Sequence, residues 1–178
     1  RRIRRTSPLR YSSLWRRWKQ AWIAKMAREH PERVFTSLHH LIDREWMREA
    51  YRRTRKDGAA GIDGVTAADY EPDLEARLAD LRERIVTGSY QAPPVRRHYI
   101  PKADGRQRPL GIPTLEDKVA QRAIVMLLEP ICEADLLPCS YGFRPGRSAH
   151  DALGEIYESV GKQGHSWVID ADVVGYLE

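Results

Sequence analysis

The spacing of apolar residues along the chain predicts several amphipathic helices. Between residues 66 and 88 the apolar positions recur every three or four residues, which places them on one helical face. They are Leu74, Leu78, Leu81 and Ile85. Thr66 and Asp69 precede them as a helix-start pattern, in which a hydroxyl and a carboxylate satisfy backbone N–H groups. We therefore expect one helix from Thr66 to about Gly88.

Other segments show the same periodicity. We expect helices over residues 13–30, 36–56, 114–131 and 148–160, with Thr114 and Ser148 as residues that cap two of the starts. In the first of these helices the side chains of Trp15, Trp18 and Trp22 share one face. The helix after Thr114 carries a broad apolar face that we expect to be buried in the core.

Two further segments have the pattern of strands. Residues 95–101 and 108–112 flank an Asp104-Gly105 turn, which predicts an antiparallel β-hairpin. Near the carboxyl end, Trp167 begins an apolar run that predicts a buried strand as far as Ala171, with Asp172 at the end of that strand. The segment from Ser140 to Ser148 is too rich in Gly and Pro for regular structure.

The composition is that of a globular protein with an excess of positive charge. Hydrophobic residues make up 42% of the chain and charged residues 31%, which argues against a disordered chain. Lys and Arg outnumber Asp and Glu by 30 to 25, and these basic residues are clustered, as at Arg52-Arg53 and Arg96-Arg97. Such clusters favour a nucleic-acid partner. The tryptophan face then has two interpretations, docking on the body of the protein or stacking on RNA bases.

Cysteine content and hydropathy indicate the cellular compartment of the protein. Cys132 and Cys139 are the two cysteines, and no histidine stands at zinc-finger spacing from them, so neither a zinc site nor a disulfide framework is expected. No apolar run approaches the roughly 18 residues of a membrane span. These features fit a reducing, cytoplasmic compartment without membrane association. Because the sequence lacks an initiator Met, we expect it to be a fragment of a longer protein.

Certain residue types suggest phosphate chemistry. Lys102 and Arg108 flank the hairpin turn. The ammonium group of a lysine is a mobile point charge, and the planar guanidinium group of an arginine can bind two phosphate oxygens, so the pair is suited to binding a triphosphate. The alternative is that they only solvate a sheet edge. Asp172, at a predicted strand end, is a candidate Mg²⁺ ligand, and Asp170 projects to the same side. An Asp at such a position can also simply cap a turn.

The Gly- and Pro-rich segment near residue 144 combines aromatic rings and arginines. Tyr141 and Phe143 suggest stacking on bases or sugars, and Arg144 and Arg147 suggest phosphate contacts. In the alternative interpretation the rings pack internally and the arginines only face the solvent.

The order of short motifs resembles that of a known family. The following segments occur in one collinear series: 61–64, 93–97, 99–102, 108–113, 128–130, 140–148 and 171–172. This series resembles the reverse transcriptases encoded by bacterial group II introns, from about Phe35 to the end of the chain.

The resemblance implies an α+β fold, namely the fingers and part of the palm of a right-hand polymerase. Residues 1–34 would form a basic, Trp-containing extension, and residues 35–178 the first part of the reverse transcriptase domain. Its implied partners are intron RNA as template, DNA as primer or target, and deoxynucleoside triphosphates, with maturase assistance to intron splicing and Mg²⁺ as the metal. The resemblance does not indicate an oligomeric state.

The same resemblance implies roles for individual residues. Lys102 and Arg108 would contact the phosphates of the incoming nucleotide, and Asp172 would be a catalytic residue as the first ligand of the metal. Asp170 would be structural at most. For RNA we expect contacts from Arg96, Arg97, Tyr141, Arg144 and Arg147.

The last residues differ from the family pattern. Tyr176-Leu177-Glu178 stands where an aromatic-Phe-Asp ending is expected, and the sequence lacks the aromatic-x-Asp-Asp turn with the further carboxylates. We therefore expect no polymerisation by the isolated chain. An RNA-binding remnant without catalysis is the second hypothesis. A third is a haloacid-dehalogenase-like phosphatase built on Asp170 and Asp172, although that family needs several strands after its nucleophile.

Overall fold

The computed structural model describes residues 8–101, 105–171 and 173, with side chains from residue 17 onward. These residues form two compact units, Arg1–Asp135 and Leu136–Glu178. The helices of the first unit are α1 (Pro8–Glu29), α2 (Arg44–Arg53), α3 (Ala67–Tyr70), α4 (Leu74–Val86) and α5 (Leu115–Asp135). Its strands are β1 (Arg96–Pro101) and β2 (Gln107–Ile112), and the second unit contains α6 (Ala149–Tyr157). Helices with one antiparallel pair of strands agree with the predicted α+β class.

Local side-chain contacts explain several helix boundaries. Thr66 and Asp69 form a reciprocal capping box at the start of α3, as predicted. The single helix predicted from Thr66 to Gly88 is wrong in one respect, because a 3₁₀ turn over Glu71–Asp73 separates α3 from α4. Pro72 lies in that turn, and its missing N–H cannot continue the hydrogen-bond ladder of a helix. The segment predicted as helical over 36–56 likewise consists of a 3₁₀ turn, His39–Leu41, followed by α2.

The core of the first unit lies where α1, α2 and α4 pack around α5. Trp46 of α2 is completely buried, and its indole Nε1 donates to the carbonyl oxygen of Ala123 at 3.0 Å. On α5 the buried apolar positions include Val119 and Ala123, whereas Ile124 and Leu128, expected on the same buried face, are exposed. The apolar face of α5 is therefore narrower than predicted.

Helix α1 docks through a different face from the one suggested by its tryptophans. Ile23 and Ala27 are buried together with Lys19, while Trp18 remains 53% exposed and Trp22 is only partly buried. Lys19 Nζ donates to the carbonyl oxygen of Leu41 at 2.9 Å and also bonds the Asp43 carboxylate. Helix α1 does dock on the body of the first unit, but through a face that contains the buried Lys19 rather than through the indole of Trp18.

The second unit contains one correction to the expected fold. The predicted strand over Trp167–Ala171 is wrong, because residues 164–171 form no helix or strand and Trp167 and Ile169 are each 91% exposed. Among the described residues the sole sheet is the pair β1–β2, so this apolar segment has no strand to pair with. Within the second unit, Ser148 and Asp151 form the capping box of α6, in agreement with the prediction.

The start of α5 is held close to the loop over residues 58–64. An added Cβ on Gly61 would lie 2.5 Å from Cα of Thr114, so a side chain cannot be accommodated there. None of the described helices combines the length and the apolar character needed to cross a membrane.

Candidate nucleic-acid interface

The β1–β2 hairpin presents basic residues on a ladder that is exposed on both faces. Its register pairs Arg96 with Ile112, His98 with Leu110 and Ile100 with Arg108. Every residue of β1 is exposed, and in β2 only Ile112 is partly covered. The predicted hairpin is confirmed to within one residue at its strand ends. An isolated pair of strands is only marginally stable by itself. Because both faces of this hairpin are exposed, a partner can bind to either face.

Side chains alternate between the two faces of a strand, so the neighbouring Arg96 and Arg97 at the base of the hairpin lie on opposite faces. Directly paired residues share a face, so Arg96, His98 and Arg108 lie on one face of the ribbon. Arg97 and Tyr99 lie on the opposite face, where Arg97 is paired with Gly111. The two faces can therefore contact two different chemical groups, and no single small ligand can be held by Arg96 and Arg97 together.

Within the described ranges, three arginine side chains of this ribbon have no partner. No side-chain hydrogen bond or ion pair involves Arg96, Arg97 or Arg108, whose backbones are paired in the ladder. Elsewhere in the first unit the guanidinium groups are mostly engaged, as with Arg48, whose Nε and Nη2 each donate to Glu75 at 2.7 Å. Unpaired cations on a regular ladder keep all their donors available for an anion. Lys102, predicted to act with Arg108, lies outside the described residues.

One contact closes the base of the hairpin and another joins the preceding segment to α5. The side chain of Val95 covers Gly111 across the base, where an added Cβ would approach Cγ2 of Val95 to 2.9 Å. Just before β1, Tyr90 Oη donates to Oδ1 of Asp117 on α5 at 2.9 Å. Burial and this hydrogen bond to a carboxylate raise the pKa of Tyr90 above its ordinary value, so the phenol stays protonated and donating.

In the second unit the loop over residues 140–148 is organised by its own arginines. Arg144 Nη1 donates to the carbonyl oxygens of Leu137 at 2.8 Å and Ser140 at 2.9 Å. Arg147 Nη1 donates to the carbonyl oxygen of Pro138 at 2.5 Å, and its guanidinium lies 5.1 Å from the ring centroid of Tyr141. The arginines therefore do not only face the solvent, as the alternative interpretation had it, while the RNA contacts predicted for Tyr141, Arg144 and Arg147 stay predictions.

The side chain of Phe143 takes no part in these contacts within the loop. Its side chain is fully exposed, and its backbone has a φ of 57°, a conformation that costs free energy for a residue with a Cβ. The sequence analysis suggested this ring, together with Tyr141, for stacking on bases or sugars, and that suggestion stays a prediction. The sequence alone does not show that the ring is exposed.

The metal prediction rests on residues that the structure mostly does not describe. Asp172 lies outside the described residues, and Asp170 is exposed in the segment that forms no strand. Across the described ranges, no three His, Cys, Asp or Glu side chains come together as a possible metal site. The described residues therefore do not by themselves form a Mg²⁺ centre.

Comparison with known proteins gives relatives of consistent type. The chain is 40% identical to Protein YkfC of Escherichia coli over 166 residues, which cover 89% of this chain and 44% of YkfC. It is 34% identical to the group II intron-encoded protein LtrA of Lactococcus lactis over 158 residues, or 88% of this chain and 26% of LtrA. It is also 30% identical over 159 residues to an uncharacterized 91 kDa protein in the cob intron of Schizosaccharomyces pombe, covering 85% of this chain and 19% of that protein.

No protein-family model matches the chain. The chain spans less than half the length of YkfC and about a quarter of LtrA. Intron-encoded proteins of a bacterium and a yeast nevertheless align with more than four fifths of it, which agrees with the collinear motifs. The chain therefore belongs to the family of group II intron-encoded reverse transcriptases and maturases.

Proposed function

We propose that this chain is the RNA-binding amino-terminal part of a group II intron reverse transcriptase, comprising its fingers and the start of its palm. The observation that carries the proposal is the exposed ribbon of unpaired arginines, Arg96 and Arg108 on one face and Arg97 on the other. Proteins that bind single-stranded nucleic acid combine cationic grooves with exposed rings on which bases stack. Tyr99, half-exposed beside Arg97, supplies such a ring.

The two faces of the hairpin suggest two different ligands. Arg108, with Lys102 beyond the end of β1, would bind the phosphates of an incoming deoxynucleoside triphosphate, and Arg96 lies on the Arg108 face. Arg97 and Tyr99 would contact template RNA on the opposite face. The sequence-based prediction gave both Arg96 and Arg97 RNA contacts, whereas this proposal separates them, because the ladder directs their side chains to opposite sides.

Copying RNA into DNA is proposed for the complete protein, with Mg²⁺ held by Asp172 and by carboxylates that this chain does not supply. In cells we propose a cytoplasmic protein that binds intron RNA and assists splicing. The 178-residue chain alone should bind RNA without extending a primer. Primer extension on an RNA template with Mg²⁺ tests this, and robust extension by the purified chain would contradict the proposal.

RNA binding is tested by fluorescence anisotropy with a labelled single-stranded RNA over a range of salt concentrations. Each phosphate contact to single-stranded nucleic acid contributes a slope of about −0.7 to log K against log salt. We expect Arg97→Gln to reduce the magnitude of the slope by about 0.7. Arg28→Gln, which removes an exposed, unpaired charge from the last turn of α1, is the matched control and should leave the slope unchanged.

A nucleotide titration separates the two faces. Arg108→Gln should weaken the binding of a deoxynucleoside triphosphate more than the binding of RNA, and Arg97→Gln should do the reverse. Equal effects of the two substitutions on both ligands would refute the division between the faces. A wild-type chain that shows no salt-dependent affinity for RNA would refute the RNA-binding function itself.

A further inference from the structure

A second basic surface lies on α5, away from the hairpin turn. It is a surface pocket of about 260 Å³ between the end of α2 and the first three turns of α5. The pocket is lined by Thr54, Arg55, Lys118, Gln121, Arg122 and Val125. None of these residues was singled out from the sequence as a site residue, because their positions in the chain are too far apart to form a motif.

The charge of this pocket is strongly positive. Arg55, Lys118 and Arg122 are its cations, and no acid lines it. Asp57 is the acid that offsets one of them, through hydrogen bonds from Arg55 Nε at 2.5 Å and Nη2 at 3.0 Å. This ion pair is largely exposed to solvent, so it is screened and weakly held. Like charges gathered around one cavity favour the binding of an anion.

Donors in the pocket are left without protein acceptors. The side chain of Arg122 makes no hydrogen bond or ion pair in the described part of the chain, so its whole guanidinium group is available. Lys118 Nζ donates to the carbonyl oxygen of Ala59 at 2.8 Å, which leaves further N–H donors on the ammonium group. An arginine fork beside a lysine point charge is the combination that suits a phosphate group.

Several contacts order the part of the pocket around Lys118. Thr54 is buried at the end of α2, where its Oγ1 donates to the carbonyl oxygen of Ala50 at 2.8 Å. The loop that accepts from Lys118 is pressed against the start of α5 at Gly61, where no side chain fits. Lys118 and Arg122 are four residues apart on one helix, so they lie on the same face. The Lys118 ammonium group is therefore positioned before an anion binds, whereas the Arg122 guanidinium becomes ordered on binding.

We propose that this pocket binds a phosphate group of nucleic acid, with the RNA backbone as its main source and a free nucleotide as the alternative. The inference rests on the proposed RNA-binding function and adds a contact to it. Ile112 pairs with Arg96 at the base of the hairpin, and Lys118 follows on the first turns of α5. In this proposal a strand bound along the hairpin continues over α5, and the pocket takes one further phosphate.

The test uses the 178-residue chain and substitutions of Arg122, whose side chain has no structural partner to lose. Arg122→Gln should reduce the magnitude of the RNA salt slope by about 0.7, while Arg122→Lys, which retains the charge, should preserve the slope. Arg28→Gln again serves as the control for loss of one exposed positive charge. Circular dichroism of each variant checks that the helices are intact.

Nuclear magnetic resonance of the Arg122 side-chain Nε–H group reports directly on the pocket. Titrations with inorganic phosphate, a deoxynucleoside triphosphate and single-stranded RNA should each shift this resonance. A larger shift with RNA than with the nucleotide at equal phosphate concentration assigns the pocket to the backbone, and the reverse order assigns it to the free nucleotide. An unchanged resonance in all three titrations overturns the proposal.

The outcomes distinguish this inference from the proposed function. If the wild-type chain binds RNA and Arg122→Gln binds it with an unchanged slope, the pocket proposal is overturned while the RNA-binding function stands. If the wild-type chain does not bind RNA, the RNA-binding function fails, and the pocket is then judged by its response to inorganic phosphate. A shift of the Arg122 resonance would in that case support an anion site, and no shift would overturn it.

Discussion

Replacing Lys19 with methionine should destabilise the first unit far more than its position on an outer helix suggests. Lys19 is 5% exposed, and its Nζ donates to the Leu41 carbonyl at 2.9 Å, bonds Asp43 and lies 5.8 Å from the ring centroid of Trp46. Methionine preserves the packing of the aliphatic stem but none of these polar contacts. The buried carbonyl of Leu41 would lose its charged donor.

The expected magnitude follows from those contacts. A hydrogen bond from a charged group is worth about 1.5–3 kcal/mol, and a partly buried cation over an aromatic ring adds about 0.5–1 kcal/mol. We expect Lys19→Met to lower the free energy of unfolding by roughly 2–4 kcal/mol. For Asp43→Asn we expect a loss of only about 1 kcal/mol, because Asn still caps α2 by accepting from the Trp46 N–H, as Asp43 does at 2.8 Å.

Urea unfolding followed by far-ultraviolet circular dichroism measures these losses. The matched control is Lys25→Met on the same helix, where the charge pairs with Glu29 at 3.8 Å and both side chains are exposed. Such a surface pair contributes about 0–0.5 kcal/mol. If Lys19→Met costs no more than Lys25→Met, the reasoning that a buried cation secures α1 to the start of α2 is refuted.

Further predictions concern backbone approach, pH and capping. Gly61→Ala should cost about 1–3 kcal/mol because its Cβ would lie 2.5 Å from Thr114, whereas Gly58→Ala, with no atom nearer than 3.9 Å, should change urea stability little; equal effects would contradict this. Because the folded-state pKa of Tyr90 exceeds the ordinary 10.0, the folded chain keeps a proton that the unfolded chain loses above that pH. Stability should therefore fall as the pH rises above about 10, and Tyr90→Phe should flatten the fall; an unaltered pH profile would count against the assignment. Ser148→Ala should destabilise α6 by about 0.5–2 kcal/mol and speed amide exchange in its first turn, and unchanged exchange would argue against the capping box.

Elements governed by local chemistry were predictable from the sequence. The hairpin follows from two alternating segments around an Asp-Gly turn, and the two capping boxes follow from residues three apart. The break before α4 was missed although Pro72 is visible, because the apolar period continues through it. Such features involve neighbours in the chain, so a single sequence contains most of the information about them.

Features that depend on distant partners were not predictable. The buried face of α1 includes Lys19 because its acceptor is the carbonyl of Leu41, 22 residues away, and no pattern within the helix reveals that contact. The apolar run after Trp167 has the composition of a strand, but a strand also needs a neighbour to pair with. For Arg144, the sequence could not show that loop carbonyls of the second unit would accept its donors.

The paired register of the hairpin limits how its length can change. A one-residue insertion or deletion within either strand would turn every later side chain of that strand to the other side of the ribbon, exchanging the positions of Arg96 and Arg97 if it fell just before them. Because no core packing constrains this exposed element, we expect natural variants to tolerate substitutions away from Arg96, Arg97 and Arg108 far better than changes in residue number within either strand.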